Sequence, residues 1–116
     1  MFEIMKSTNL YKGSLTTIIL KLLNEQDSMY GYEITQKVKE ITNGDLQITE
    51  GALYPALHKL EAEGLLSVAF ANVNNRTRKY YKLTEQGTRE TVNKLAELEQ
   101  YIKTMRALVN PKYRVL

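Results

Sequence analysis

At Leu66 the apolar residues stop recurring every three or four positions and begin to alternate, and this change of period constrains the fold more than any other feature. Leu66, Val68 and Phe70 alternate with Ser67, Ala69 and Ala71, as a half-buried strand does. Tyr81 and Leu83 share one face of a second strand, opposite Arg78, Tyr80 and Lys82, and the polar stretch NVNNRT joins the two as a hairpin. Before the switch the period is helical throughout. Leu15, Ile18, Ile19, Leu22 and Leu23 fall on one face of a helix over residues 13–25, which the stretch NEQDS breaks. Ile34, Val38 and Ile41 mark a second helix, from Tyr30 to the turn signal Asn43-Gly44. Leu53, Leu57 and Leu60 mark a third, with Thr49 placed as its N-cap and Gly64 as its C-terminal stop. After the hairpin, Thr84 is positioned to cap a last helix that runs to Val109, roughly 38 Å at 1.5 Å per residue. The expected fold is mainly α with a two-stranded β-wing: a winged helix-turn-helix plus a long C-terminal helix.

Residues 50–66 read EGALYPALHKLEAEGLL, and Pro55 falls inside the helix that the leucines demand, where it removes a backbone hydrogen bond at a cost of roughly 3 kcal/mol. On a helical wheel Gly51, Pro55, His58 and Ala62 lie opposite the leucine stripe, flanked by Tyr54 and Lys59. Gly, Pro and Ala add little bulk, so this side suits the close approach of a duplex. Tyr54 and Lys59 could then reach phosphates, and His58 a phosphate or a base edge. Small residues in this position would equally admit another helix of the same protein. The helix is a poor electrostatic partner for DNA by itself, since Glu50, Glu61 and Glu63 outnumber Lys59. Attraction has to come from the wing and from N–H groups at helix N-termini.

The 116 residues carry a net charge of +3, and that total hides a polarised arrangement. Residues 73–83 hold four cations, Arg76, Arg78, Lys79 and Lys82, without an acid. Residues 101–116 hold four more, Lys103, Arg106, Lys112 and Arg114, again without one. With those eight set aside, the rest of the chain carries −5. Two basic segments on an acidic body suit contact with a polyanion at defined places. There is no cysteine, so neither a disulfide nor a thiolate metal site is available, and His58 is the single histidine. No nucleophile, base or ligand set accompanies it, and an enzyme, a metal site or a cofactor is not expected. A signal-peptide pattern and a run of about 18 apolar residues are both missing, so a cytoplasmic protein with no membrane partner is expected.

In the last helix Leu95, Leu98, Ile102, Met105 and Val109 are spaced 3, 4, 3, 4, a heptad seam that suits a homodimer or, alternatively, a stripe docked wholly on its own domain. Tyr101 and Leu108 widen the stripe beyond one partner surface, so this helix is also expected to pack on the first. The expected dimer interface is Leu95, Leu98, Tyr101, Ile102, Met105 and Val109. Leu15, Ile19, Leu98, Tyr101 and Ile102, where long and first helices should meet, are the candidate site for a flat aromatic or lipophilic effector.

Three runs, YKGSLTTIILKLLNEQDSMYGYEI, EGALYPALHKLEAEGLL and RKYYKLTEQG, in this order and at this spacing, closely resemble the PadR family of transcriptional regulators. The resemblance covers residues 11–87. It implies a homodimeric bacterial or archaeal DNA-binding repressor whose C-terminal helix dimerises, in a family whose members often respond to small aromatic or lipophilic compounds. Carried over to this chain, it makes Tyr54 a recognition-helix residue and residues 76–79 the wing, and the single C-terminal helix resembles the small subfamily. The combined expectation is a DNA-binding transcriptional regulator, a repressor released by such a ligand. Residues 1–84 would form the winged-helix domain, and residues 85–116 the dimerisation helix and basic tail. Thr49, Gly51, Ala52, Tyr54, His58, Lys59, Arg76, Arg78 and Lys79 are the residues expected on double-stranded DNA. The alternative is a winged-helix module that binds acidic proteins without reading DNA sequence.

Overall fold

The computed structural model describes residues 8–114. In chain order these form α1 (Thr8–Lys12), α2 (Leu15–Glu25), β1 (Met29–Tyr30), α3 (Gly31–Ile41), α4 (Glu50–Ala62), β2 (Leu66–Val73), β3 (Arg76–Leu83) and α5 (Glu85–Val109), then a 3-10 turn, Pro111–Tyr113. The helices expected before the hairpin are α2, α3 and α4. The first begins at Leu15 rather than residue 13, because the Ser14 N–H bonds back to the Tyr11 carbonyl at 2.9 Å and closes a separate short helix, α1. Tyr11 is buried, and its hydroxyl accepts from the Thr49 N–H at 3.4 Å, which ties α1 to the start of α4.

The sheet has three strands, in the order β1-β3-β2, and not the hairpin alone. Met29 pairs with Tyr81 and Tyr30 with Tyr80, antiparallel. Two residues are too few to leave a period in a sequence, and Tyr30, which reads as the start of the second helix, is instead the end of β1 and the N-cap of α3. The alternation along β2 holds at Leu66, which is buried, and Val68, which is half-buried. It fails at Phe70, which is 67% exposed because the hairpin has by then run out beyond the core.

The core gathers Ile19 and Leu20 of α2, Ile34 of α3, the three leucines of α4, and Met29 and Tyr81 of the sheet. Leu53 and Leu57 have no exposed surface and Leu60 only 2%. Burying each stabilises by roughly 1.5–3 kcal/mol, together more than Pro55 costs. Pro55 is exposed, on the side where water can take the Gly51 carbonyl it leaves free, and α4 runs through it unbroken.

The stops of α3 and α4 are both Schellman turns. At the end of α4 the Leu65 N–H bonds the Leu60 carbonyl and the Gly64 N–H the Glu61 carbonyl, each at 3.0 Å, with Gly64 at φ +78°. Asn43, at φ 52°, does the same for α3, where the Gly44 N–H reaches the Lys39 carbonyl at 2.8 Å. Leu65 then anchors α5. Its carbonyl accepts from the Thr84 N–H at 3.0 Å, and a side chain at Gly87 would collide with the same carbonyl oxygen. The Thr84 hydroxyl caps α5 by accepting from the Gly87 N–H at 2.9 Å and donates to the Gly64 carbonyl at 2.7 Å. Helix α5 therefore packs on α2 and β3. Its second half carries Tyr101, Leu108 and Val109 at 59%, 62% and 79% exposure.

Candidate nucleic-acid interface

Thr49 opens α4, its hydroxyl accepting from the Ala52 N–H at 3.2 Å. Thr49, Gly51, Pro55, His58, Lys59 and Ala62 are all exposed, so the small-residue side seen on the helical wheel faces outward. The two other expected contacts on this helix are placed differently. Ala52 is half-buried against the core, and Tyr54 is half-buried over Gly31, its phenol filling the space a Cβ there would need. Burial first, then the charge of Glu50 and the neighbouring Tyr81, raise the Tyr54 pKa above its ordinary 10.0. Tyr54 thus seats α4 on α3, with only part of its surface left to meet a ligand.

The hairpin turns at Asn74 and Asn75, both left-handed with φ of 51° and 63°. This is the primed type that matches strand twist and that asparagine tolerates well. The register, from Leu66 opposite Leu83 to Val73 opposite Arg76, sends alternate side chains of β3 to opposite faces. Arg76, Arg78, Tyr80 and Lys82 share one face, and Lys79 lies on the other with Tyr81. The cations expected as one group are therefore split. Arg76 is exposed near the tip, and the Arg78 guanidinium lies over the Tyr30 ring at 4.4 Å from its centroid. The Lys79 ammonium is 3.5 Å from a Glu61 carboxylate oxygen on α4 and 5.3 Å from the Tyr81 ring centroid. Burial lowers the Lys79 pKa, but Tyr81 and Glu61 outweigh it and leave the pKa raised. Tyr30 was missed in the sequence because β1 was, and β1 is what brings it beside β3.

Residues 19–93 match the model of the Transcriptional regulator PadR-like family. The chain belongs to the PadR-like family. It is 35% identical over 102 residues to an uncharacterized protein of Lysinibacillus sphaericus, covering 84% of this chain and 93% of that one. It is 30% identical over 94 residues to the transcriptional regulator YqjI of Escherichia coli, covering 78% of this chain but only 44% of YqjI. Among solved structures it is similar to a transcriptional regulator of Clostridium thermocellum, with a TM-score of 0.81 and 31% identity, covering 89% of this chain and all of the other. This PadR-like chain is a transcriptional regulator, in a family of DNA-binding regulators rather than enzymes. Among the described residues, no three metal-binding side chains cluster, and no helix is long and apolar enough to cross a membrane.

The remaining expected residues of the PadR-like chain lie along α5 and the core. Leu95, Leu98 and Met105 are half-buried, and Ile102 joins Tyr101 and Val109 among the exposed. No one groove among the described residues is lined by all five effector residues. Ile19 is sealed in the core, and Leu15 is buried beside the groove along α4. Leu98 and Tyr101 line a groove with Leu10. A separate apolar cleft of about 320 Å³ opens between α2, α3 and α5, lined by Ile18, Leu22, Val38, Ile41, Leu95 and Leu98.

Proposed function

We propose that this regulator represses transcription by binding an operator as a two-fold dimer. In this reading α4 enters the major groove, the β2–β3 wing lies on the phosphate backbone, and α5 pairs with a second copy. The observation that carries the reading is the outward face of α4. Gly51, Pro55, His58, Lys59 and Ala62 are exposed, which speaks against the small residues serving to admit another helix of this chain. The basic wing stands next to it and supplies the attraction that an acid-rich helix lacks. Binding to mixed-sequence and selected duplexes across a salt series tests this. Binding should weaken steeply with salt, since each neutralised phosphate contributes about −0.9 to the slope of log K on log salt, and selected sites should be preferred. A chain that binds polyglutamate as readily as DNA, with no preference among duplexes, is instead a protein-interaction module.

Release by an aromatic or lipophilic effector completes the proposal. The α2–α3–α5 cleft favours it, because one apolar space touches α2 and α3, two helices of the winged-helix domain, and the proposed dimer helix α5. A tenfold loss of operator binding requires a ligand that prefers one arrangement by about 1.4 kcal/mol. Planar aromatic compounds that raise the melting temperature should also release DNA, and Leu95→Trp, which fills the cleft, should abolish both effects. Binders that leave DNA affinity unchanged would remove the effector from the account.

A further inference from the structure

We propose that Tyr30 aims the wing: its ring holds Arg78 as the wing's phosphate contact, while Lys79 serves to tie the wing to α4. The inference rests on the DNA-binding reading above and assigns a positioning role to a residue outside α4 and the hairpin. The Arg78 guanidinium lies 4.4 Å from the Tyr30 ring centroid, and the Tyr80 ring meets Tyr30 edge-on at 5.5 Å and 76°. Tyr30 is itself fixed from both sides. Its backbone pairs with Tyr80 in the sheet, and its N–H donates to the Glu33 carboxylate at 3.0 Å at the start of α3.

The chemistry of the two neighbouring cations differs. An aromatic face orients a guanidinium without neutralising it, so Arg78 keeps its charge and its in-plane N–H donors for a phosphate. A carboxylate neutralises as it orients. Among the described residues, ion pairs engage Lys79 with Glu61 at 3.5 Å and Lys82 with Asp27 at 3.7 Å, and none engages Arg78. A cation already held in place also loses less freedom when it meets the backbone. Lys79 in turn bridges β3 to α4 and sets the wing's angle to the reading helix.

The full chain and its variants Y30F, Y30L, R78A, K79A and Y30L/R78A are titrated with a short labelled duplex of mixed sequence across a salt series. The unaltered chain comes first, because failure to bind duplex at any salt defeats the DNA-binding reading itself. Given binding, Y30F should match the unaltered chain. Y30L and R78A should each weaken binding roughly tenfold and flatten the slope of log K on log salt by about 0.9 per lost contact. The double variant should bind no more weakly than R78A, since Tyr30 acts through Arg78, and K79A should keep the slope. Thermal melts check that Y30L is folded, and Y30M replaces it if not. Full affinity in the folded Tyr30 variant, additive losses in the double variant, or equal slope losses in R78A and K79A would each overturn the inference while leaving DNA binding intact.

Discussion

Thr84 joins the two halves of the molecule with one hydroxyl, which caps α5 and bonds the last turn after α4. Thr84→Ala should lower stability by about 1–2 kcal/mol, read as a lower urea midpoint at unchanged m-value. That role was half legible. A threonine before a helical run announces an N-cap, but the bond to Gly64 depends on how two distant turns meet. Tyr54 teaches the same lesson in reverse. Its place on the wheel predicts a phosphate contact, and the lack of a side chain at Gly31 lets the ring fold back against α3, which leaves part of its surface outward. Because its pKa is raised, a neutral Tyr54 favours the folded state. Its contribution is whole below its ordinary value of 10.0 and falls as pH rises from there through the folded pKa. Tyr54→Phe should therefore make the alkaline loss of stability above about pH 10 shallower, as followed by denaturation at stepped pH.

The helices α2 to α5 and the hairpin were legible because each is long enough to repeat an apolar period and is bounded by its own stop signal. The short elements were not. Neither the five residues of α1 nor the two of β1 can show a period, and both exist through contacts, Tyr11 with Thr49 and Tyr30 with Tyr80. Within α4, Pro55 is a local defect kept on the outward face. Pro55→Ala restores a backbone bond and should stabilise the fold by roughly 2 kcal/mol, after allowing for the freer unfolded chain. If the proline helps shape the reading surface, the same variant should bind duplex DNA less well, so melting and binding should move in opposite directions. In the proposed dimer, the exposed Ile102 and Val109 of α5 would supply the pairing face. The double change Ile102→Glu with Val109→Glu should yield a monomer in sedimentation, with little change in helix content.

The molecule as a whole has its reading helix and basic wing anchored to the start of α5, while the far half of that helix is left with an apolar face and a basic tail. The described residues extend 56 Å along the longest axis. The tail folds back along α5, where Arg114 donates to the Ala107 carbonyl at 3.0 Å and the Arg106 guanidinium lies 5.1 Å from the Tyr113 ring centroid. Net charge announced two basic segments but not their different surroundings, since only the pairing of β1 with β3 brings Tyr30 to Arg78. Two copies joined along α5 by a two-fold axis would present two copies of α4 to one face of a duplex. Selection of bound duplexes from a random pool tests that arrangement most directly. A two-fold dimer should select a near-palindromic site whose half-sites are centred about 10 base pairs, one helical turn, or a multiple of it apart. Recovery of only single, asymmetric sites would contradict it.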